Sequence, residues 1–400
     1  MSGAAVRPVR VLIACDHIDF DGALHGGGRQ LIELTRALDR ARVAPTVCML
    51  RAATPLGRQL QAEGLPFRFF GDGRFSPRSL LRLVRLIRAQ RIQVLHLTDF
   101  GACTWGRLAG WLTGVPVIVQ IITHHSEYTH RGYPKYVELA YRALAPLTAR
   151  ALAISESVRR FARERMGFRD AQLEVLYYPL PEHSFRGAPP ARAAALRAHY
   201  GIGADEPVVG AVTRFFAVKG IRHLVEAFAE IRRAEPRAWL VLVGRGPEEA
   251  ALRERARALG VADRVVFAGF QREVEAHVQM FDVAAVPSLE EAFGLVAVEA
   301  MALGTPVVAS DVDGLNEVVT NGVSGLLAPP ADPPALARAV LRVLRDPALR
   351  ARLVAGGHDT ARRFSLERYV GRLTELYTEL AAAPGRASAR LTPTPVAEGP

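Results

Sequence analysis

Residues 286–305 read VPSLEEAFGLVAVEAMALGT, and this stretch decides how the chain is understood. Val286 closes an apolar run, and Pro287, Ser288 and the acidic pair Glu290-Glu291 read as a loop leaving a strand. Phe293 to Leu303 then reads as an apolar helix, closed by Gly304 and Pro306. A helix opening at Phe293-Gly294-Leu295-Val296 turns backbone N–H groups and a partial positive charge toward whatever lies before it, which favours phosphate. Glu291 in the loop reaches a hydroxyl-rich part of such a ligand. Glu299, about two turns into the helix, faces another part of it. Carboxylates that accept hydrogen bonds from vicinal hydroxyls beside a phosphate site describe a receptor for a nucleotide sugar. A buried sheet-covering helix with two incidental glutamates is the alternative that this stretch alone leaves open.

A second element bears on that choice. The buried-strand run Val208–Val212 is followed by Thr213-Arg214-Phe215-Phe216-Ala217-Val218-Lys219-Gly220 and then by an amphipathic helix from Ile221. Arg214 and Lys219 share one strand-to-helix loop, where two cations grip a diphosphate. The chain has only two lysines, Lys135 and Lys219, among 51 basic residues. Lysine's compact ammonium is a different tool from the guanidinium fork, so a lysine kept in this loop points to function.

With these residues in hand, the chain resembles the retaining glycosyltransferases of family four, which have the GT-B fold. His25-Gly26-Gly27-Gly28 stands before a helix, and Ala153-Ile154-Ser155-Glu156-Ser157 resembles the family's "vSes" turn. Arg214 with Lys219 fits its R-x4-K element. Leu242-Val243-Gly244-Arg245-Gly246-Pro247 fits the "vGdGp" turn, with Arg245 where an Asp is usual, and Phe267-Ala268-Gly269-Phe270 fits "f.G". The block from Pro287 to Val319 matches the family's best-preserved region. The resemblance runs over roughly residues 9 to 380, and the order and spacing of its elements are more specific than any one of them.

The resemblance implies an α/β protein with two Rossmann-like domains facing a central cleft. It implies transfer of a sugar from a nucleotide diphosphate donor, with Arg214 and Lys219 on the diphosphate and Glu291 on the transferred sugar's hydroxyls. Glu299 then holds the ribose diol, and Phe270 with its neighbours meets the base. Gly27, Gly28, Gly244, Phe293, Gly294, Leu295 and Val296 complete the donor site. A histidine at the end of the strand before Thr123 is implied near the sugar. His124 is favoured over His125. Retention by same-face attack makes a covalent role for Glu291 unnecessary. A nucleotide-sugar epimerase of the same architecture and a non-catalytic nucleotide-sugar binding protein are the competing readings.

Composition sets wider bounds. The chain has 400 residues, half of them apolar, enough for two domains. Residues 1–185 carry 25 basic and 15 acidic side chains, a net +10, whereas residues 186–400 carry 26 and 25, a net +1; together these give the overall +11. Within the first half, Arg78, Arg82, Arg85, Arg88 and Arg91 recur at helical spacing, a face that suits an anionic lipid surface or an anionic acceptor, or simply solvent. Nucleic acid is not expected, because no recognition module is present. The start lacks a signal peptide's long apolar core, and no apolar run approaches the ~20 residues a span needs. Cytoplasmic residence is expected, with a place at the inner membrane face kept open. Cys15, Cys48 and Cys103 lack metal or disulfide spacing. The triplets Asp19-Phe20-Asp21 and Asp311-Val312-Asp313 invite a Mg²⁺ reading, but cations and a helix start are available for phosphate, so no metal is expected. The glycine patterns are too incomplete for NAD, and no cofactor is expected beyond the nucleotide-sugar co-substrate.

Val- and Ile-rich runs alternating with helical periodicity predict parallel sheets with crossover helices. Strands are expected at Val9–Cys15, Ala44–Leu50, Val94–Leu97, Val115–Ile121, Ala151–Ile154 and Leu173–Leu176. Residues 1–180 are expected to form the acceptor domain, 181–193 a proline-rich linker, and 194–365 the donor domain. By resemblance the helix 366–382 crosses back onto the first domain. The Pro-, Thr- and Ala-rich segment 384–400 is expected to be disordered.

Overall fold

The computed structural model describes residues 7–20, 23–24, 26–73, 76–121 and 135–383. His124, His125, Asp21 and the segment 384–400 lie outside the described residues. The chain divides into two compact units. One holds the residues up to Tyr177 together with those from Leu366 onward, and the other holds Tyr178–Ser365.

The first unit is built on a seven-stranded sheet. Its strands are β1 (Val9–Cys15), β4 (Val43–Met49), β5 (Phe67–Phe69), β6 (Val94–Leu97), β7 (Val117–Ile121), β8 (Arg150–Ala153) and β9 (Leu173–Val175), with a short antiparallel pair, β2 (Asp19–Phe20) and β3 (Ala23–Leu24), beside it. The order is β5-β4-β1-β6-β7-β8-β9, every pair parallel. Helices cover the sheet, so the central strands are buried along nearly their whole length and not in alternation. Val11, Leu12, Ile13 and Ala14 are all buried. Strand β7 begins at Val117, two residues later than Val115, because Pro116 has no N–H for the ladder. Its carbonyl is still used, accepting from Leu95 N at 3.0 Å.

The second unit repeats the plan with β10 (Val208–Val212), β11 (Trp239–Val243), β12 (Val265–Gly269), β13 (Val283–Val286), β14 (Val307–Ser310) and β15 (Leu326–Ala328). Their order is β12-β11-β10-β13-β14-β15, again parallel. In each sheet the chain moves outward from its first strand on one side, then returns and continues on the other. The reversal falls between β1 and β6 in one unit and between β10 and β13 in the other. Ligands of open α/β sheets bind beyond the carboxyl ends of the strands at such switch points.

The residues read as a linker are structured parts of the second unit. They contain the 3-10 helix Glu182–Phe185 and the start of helix Pro190–His199, and Leu180 N donates to Phe364 O at 2.7 Å. Proline richness here marks a helix start, since Pro190 occupies a first-turn position where no N–H is needed. The unit boundary accordingly falls at Tyr177–Tyr178. Helix Leu366–Ala382 belongs to the first unit, where Tyr369, Leu373, Leu376, Tyr377 and Leu380 join its core alongside Val11, Ile13, Leu34 and Val94. The three cysteines are free and buried. Among the described residues no helix is long and apolar enough to cross a membrane.

Candidate donor site and a crevice in the first unit

The loops on the two sides of the β10/β13 switch point are joined by backbone contacts. After β10 the chain makes a 3-10 turn, Ala217–Lys219, and passes through Gly220 at φ 64° into helix Ile221–Ala234. A Cβ on Gly220 would lie 1.9 Å from the carbonyl oxygen of Pro287, so only glycine permits this approach. Leu289 N donates to Val218 O at 2.8 Å across the same seam. The result is a side-chain pair: Lys219 Nζ lies 2.8 Å from Glu291 Oε2, with the side chains 21% and 17% exposed. Ser288 Oγ donates to the same carboxylate oxygen at 3.3 Å, and Ala292 N donates to Oε1 at 3.2 Å. Lys219 and Glu291, inferred separately from two motifs, are thus direct partners.

The helix after Glu291 starts later than expected. It spans Leu295–Ala302, with Gly294 at φ 89° before it and no side chain capping its end. Phe293 cannot be its first residue, because the left-handed geometry of Gly294 interrupts the helix between them. Phe293 is instead buried, edge-on to Phe364 at 5.3 Å between ring centres. The first hydrogen bonds run from Ala297 N and Val298 N to Gly294 O, which leaves the N–H groups of Leu295 and Val296 at the open helix start. Glu299 is half-buried one turn further on. Behind the loop, a Cβ on Gly314 (φ 84°) would lie 2.4 Å from Glu291 O, so the turn after β14 supports the carboxylate's own backbone.

On the other side of the switch point the loops are equally close. A Cβ on Gly244 would fall 1.8 Å from Thr213 O and one on Gly246 2.3 Å from Phe215 O. Phe215 N donates to Arg245 O and Gly244 N to Gly269 O, each at 2.9 Å. These contacts bring Arg214, Gly244 and Phe270 to the same sheet edge as Lys219. The Arg214 guanidinium lies over the Phe216 ring at 5.2 Å, and Phe270 is exposed. Asp311 is exposed and accepts from Asn316 Nδ2 at 3.3 Å. Among the described residues no group of three or more His, Cys, Asp or Glu side chains is placed to hold a metal.

Gly27 and Gly28 lie in the other unit, in the first turn of helix Gly26–Ala37. The glycines expected ahead of this helix therefore form its beginning. A Cβ on Gly28 would lie 2.0 Å from Ile18 O. This turn borders a crevice at the β1/β6 switch point, lined among others by Cys15, His17, Gly27, Gly28, Thr98 and Asp99. Asp99 has φ 62° and ψ 158°, a conformation that costs a non-glycine residue on the order of 1–3 kcal/mol. The surroundings that hold it are visible. Its carboxylate accepts from Asp16 N at 3.0 Å, while the buried Asp16 carboxylate accepts from Gly101 N at 3.1 Å and Ala102 N at 2.8 Å, at the start of helix Phe100–Thr113. The sequence pattern marks Ser288 and Gly220 only as loop residues and assigns no role to Asp99 or Gly314. Positive φ at a non-glycine residue leaves no mark in a single sequence, and a serine among loop residues looks ordinary.

The family model for glycosyl transferases group 1 matches residues 193–359, and that for glycosyltransferase family 4 matches residues 24–181. The α-D-kanosaminyltransferase of Streptomyces kanamyceticus is 30% identical over 331 residues, covering 78% of this chain and 85% of that protein. The chain belongs to glycosyltransferase family four. It is a glycosyltransferase with the GT-B fold. Shorter matches fit this membership. The D-inositol 3-phosphate glycosyltransferase of Salinispora tropica is 41% identical over 186 residues, 44% of this chain and 39% of that protein. A 2-deoxystreptamine glucosyltransferase of Streptomyces kanamyceticus is 39% identical over 188 residues, 46% and 49% respectively. Among solved structures, Anabaena HepE in complex with UDP superposes with a TM-score of 0.79 at 22% identity, over 93% of this chain and all of that one. At that identity the structural likeness speaks for the fold alone.

Proposed function

We propose that this glycosyltransferase moves a sugar from a nucleotide diphosphate sugar, held by the second unit, to a hydroxyl of an acceptor that enters over the first unit, with retention of configuration and without a metal. The observation that carries the reading is the Lys219–Glu291 pair, 2.8 Å apart at the switch point, beside the uncapped helix start at Leu295. Negative charge develops on the diphosphate as the sugar leaves, and preorganised cations and N–H groups there lower the barrier. Lys219 and Arg214 supply the cations, and Leu295 and Val296 supply the N–H groups. Glu291 orients the hydroxyls of the transferred sugar and Glu299 accepts from the ribose diol, while family resemblance assigns His124 a role at the sugar. Kinship with enzymes named for inositol phosphate, deoxystreptamine and lipopolysaccharide-core acceptors supports a role in natural-product glycoside, glycolipid or cell-surface polysaccharide synthesis. A lipid-linked acceptor at an anionic cytoplasmic membrane face has its own support in the exposed row Arg78, Arg82, Arg85 and Arg88, with exposed Leu81 among them.

The test is a panel of UDP-, GDP- and ADP-sugars, each mixed with the protein and followed for nucleoside diphosphate release and by NMR for the anomer of the product. Slow donor hydrolysis, accelerated by an acceptor and giving the donor's own anomeric configuration, is the expected result. Release of a free epimer would assign an epimerase, and saturable binding without release a receptor.

A further inference from the structure

Beneath the crevice of the first unit runs a buried chain of polar side chains that the transfer reaction described above does not use. Tyr377 Oη lies 2.7 Å from His96 Nδ1, and His96 Nε2 lies 3.2 Å from Gln120 Oε1. Gln120 Nε2 donates to Gln30 Oε1 at 3.5 Å, and Gln30 Nε2 donates to the Tyr369 hydroxyl at 2.9 Å. His96 and Tyr377 are fully buried, and Tyr369, Gln120 and Gln30 are at most 7% exposed. The chain has a direction. Gln120 Oε1 can only accept, so His96 Nε2 carries the proton and Nδ1 accepts from Tyr377. From Tyr377 to Tyr369 every donor then points the same way. Burial lowers the His96 pKa to about 4, which keeps the imidazole in this neutral form.

Both ends of the chain are tyrosines of helix Leu366–Ala382, while its three middle members, His96, Gln120 and Gln30, line the crevice. Gln30 lies in the same helix as Gly27 and Gly28, one turn further on. The returning helix also places apolar side chains in the core, among them Leu376 and Leu380. Hydroxyls sunk into that core are costly to bury unless each is bonded, and here each meets a crevice residue. We propose that Tyr369 and Tyr377 are positioning residues, which act through His96, Gln120 and Gln30 to fix the crevice floor and the glycine turn at its mouth. The inference rests on the reading that Gly27 and Gly28, which line this crevice, belong to the donor site, but the positioning itself is measurable without it.

Tyr377→Phe and Tyr369→Phe each remove one hydroxyl and keep the ring, while Leu380→Ala loosens the same helix without touching the polar chain. Amide hydrogen exchange of the full-length protein should rise about two- to tenfold in the segment 26–31 in both tyrosine variants, the change expected from one hydrogen bond of ordinary net worth. It should stay at the wild-type rate there in Leu380→Ala, although that variant melts at a lower temperature. In the same variants the kcat for turnover of the nucleotide sugar that the donor panel identifies should fall with KM unchanged, because the donor's nucleotide is assigned to the other unit. Equal exchange in all three variants would make the tyrosines packing groups and overturn the proposal. A tyrosine-specific exchange change with wild-type turnover would leave the positioning intact and remove the crevice from the reaction.

Discussion

Glu291→Gln should tighten the binding of a nucleoside diphosphate, and the reason lies in the 2.8 Å contact between Lys219 and Glu291. In the protein without ligand the lysine that is to meet the diphosphate is already neutralised by a carboxylate. A bound diphosphate must draw Lys219 away from that partner or share it. A hydrogen bond to a charged group contributes about 1.5–3 kcal/mol net, while fully exposed ion pairs are worth about 0–1 kcal/mol. With both side chains about one-fifth exposed, a value on the order of 1–2 kcal/mol is appropriate after discounting for solvent. Removing the competing charge then tightens binding by up to about 5- to 30-fold. Lys219→Met removes the attractive charge itself and should weaken binding about 10- to 150-fold. The double variant should match Lys219→Met, because with the lysine gone Glu291 has no cation to withhold. Calorimetric titration with whichever of UDP, GDP and ADP gives the largest thermal shift, at one fixed salt concentration, measures all four proteins. The competition argument fails if Glu291→Gln weakens nucleoside diphosphate binding as Lys219→Met does. With the intact nucleotide sugar, Glu291→Gln should depress turnover, since the lost carboxylate no longer orients the sugar.

Four further outcomes follow from the same geometry. Glu299→Gln should weaken nucleotide and nucleotide-sugar binding alike, by roughly 1.5–3 kcal/mol, in the same titrations. Lys219→Arg should fold normally by circular dichroism yet lose most of its turnover, because a planar fork cannot reproduce the point charge 2.8 Å from Glu291 Oε2. His96 should make the first unit acid-sensitive. The folded protein keeps it unprotonated, its pKa lowered from 6.5 to about 4 by burial, whereas the unfolded chain takes up a proton below about pH 6.5. Its contribution is therefore whole above about pH 6.5 and is lost as pH falls toward 4, by up to about 3 kcal/mol. Urea midpoints of wild type and His96→Gln should accordingly converge as pH is lowered through that window. Replacing Arg78, Arg82, Arg85 and Arg88 with Gln should reduce binding to anionic vesicles at low salt with nucleotide affinity unchanged. Arg82 lies 3.6 Å from Asp72 and bonds Phe70 O, so a melting curve of the variant accompanies the vesicle assay.

The parallel architecture was legible because strands buried on both faces announce themselves as unbroken Val and Ile runs, and Val9–Cys15 was placed to the residue. Edges were less legible where one atom decides them, as at Pro116 and Gly294. The segment 181–193 misled because proline serves linkers and helix starts equally well. In the second unit the sequence named Arg214, Lys219, Glu291 and Glu299 from motif and scarcity. It did not show that Lys219 and Glu291 touch, since that depends on the approach of Gly220 to Pro287 O, a contact between loops 67 residues apart. The crevice of the first unit was almost wholly silent. His96 and Gln120 sit inside apolar strands, and their partners Tyr369 and Tyr377 lie more than 240 residues away, so no local pattern connects them.

The path of the chain has a consequence for biosynthesis. The first unit is begun at the amino terminus, abandoned at Tyr177 and finished only when Leu366–Ala382 returns to it. The second unit is one uninterrupted segment. During translation the later-made unit can therefore complete its core first, while the earlier one waits, at about 5–20 residues per second, with the surface intended for Tyr369, Leu373, Leu376, Tyr377 and Leu380 uncovered. A nascent chain whose residues from 366 onward are still held by the ribosome would carry an unfinished, aggregation-prone first unit. Expression of this protein is thus most exposed to chaperone supply over the final stretch of its synthesis.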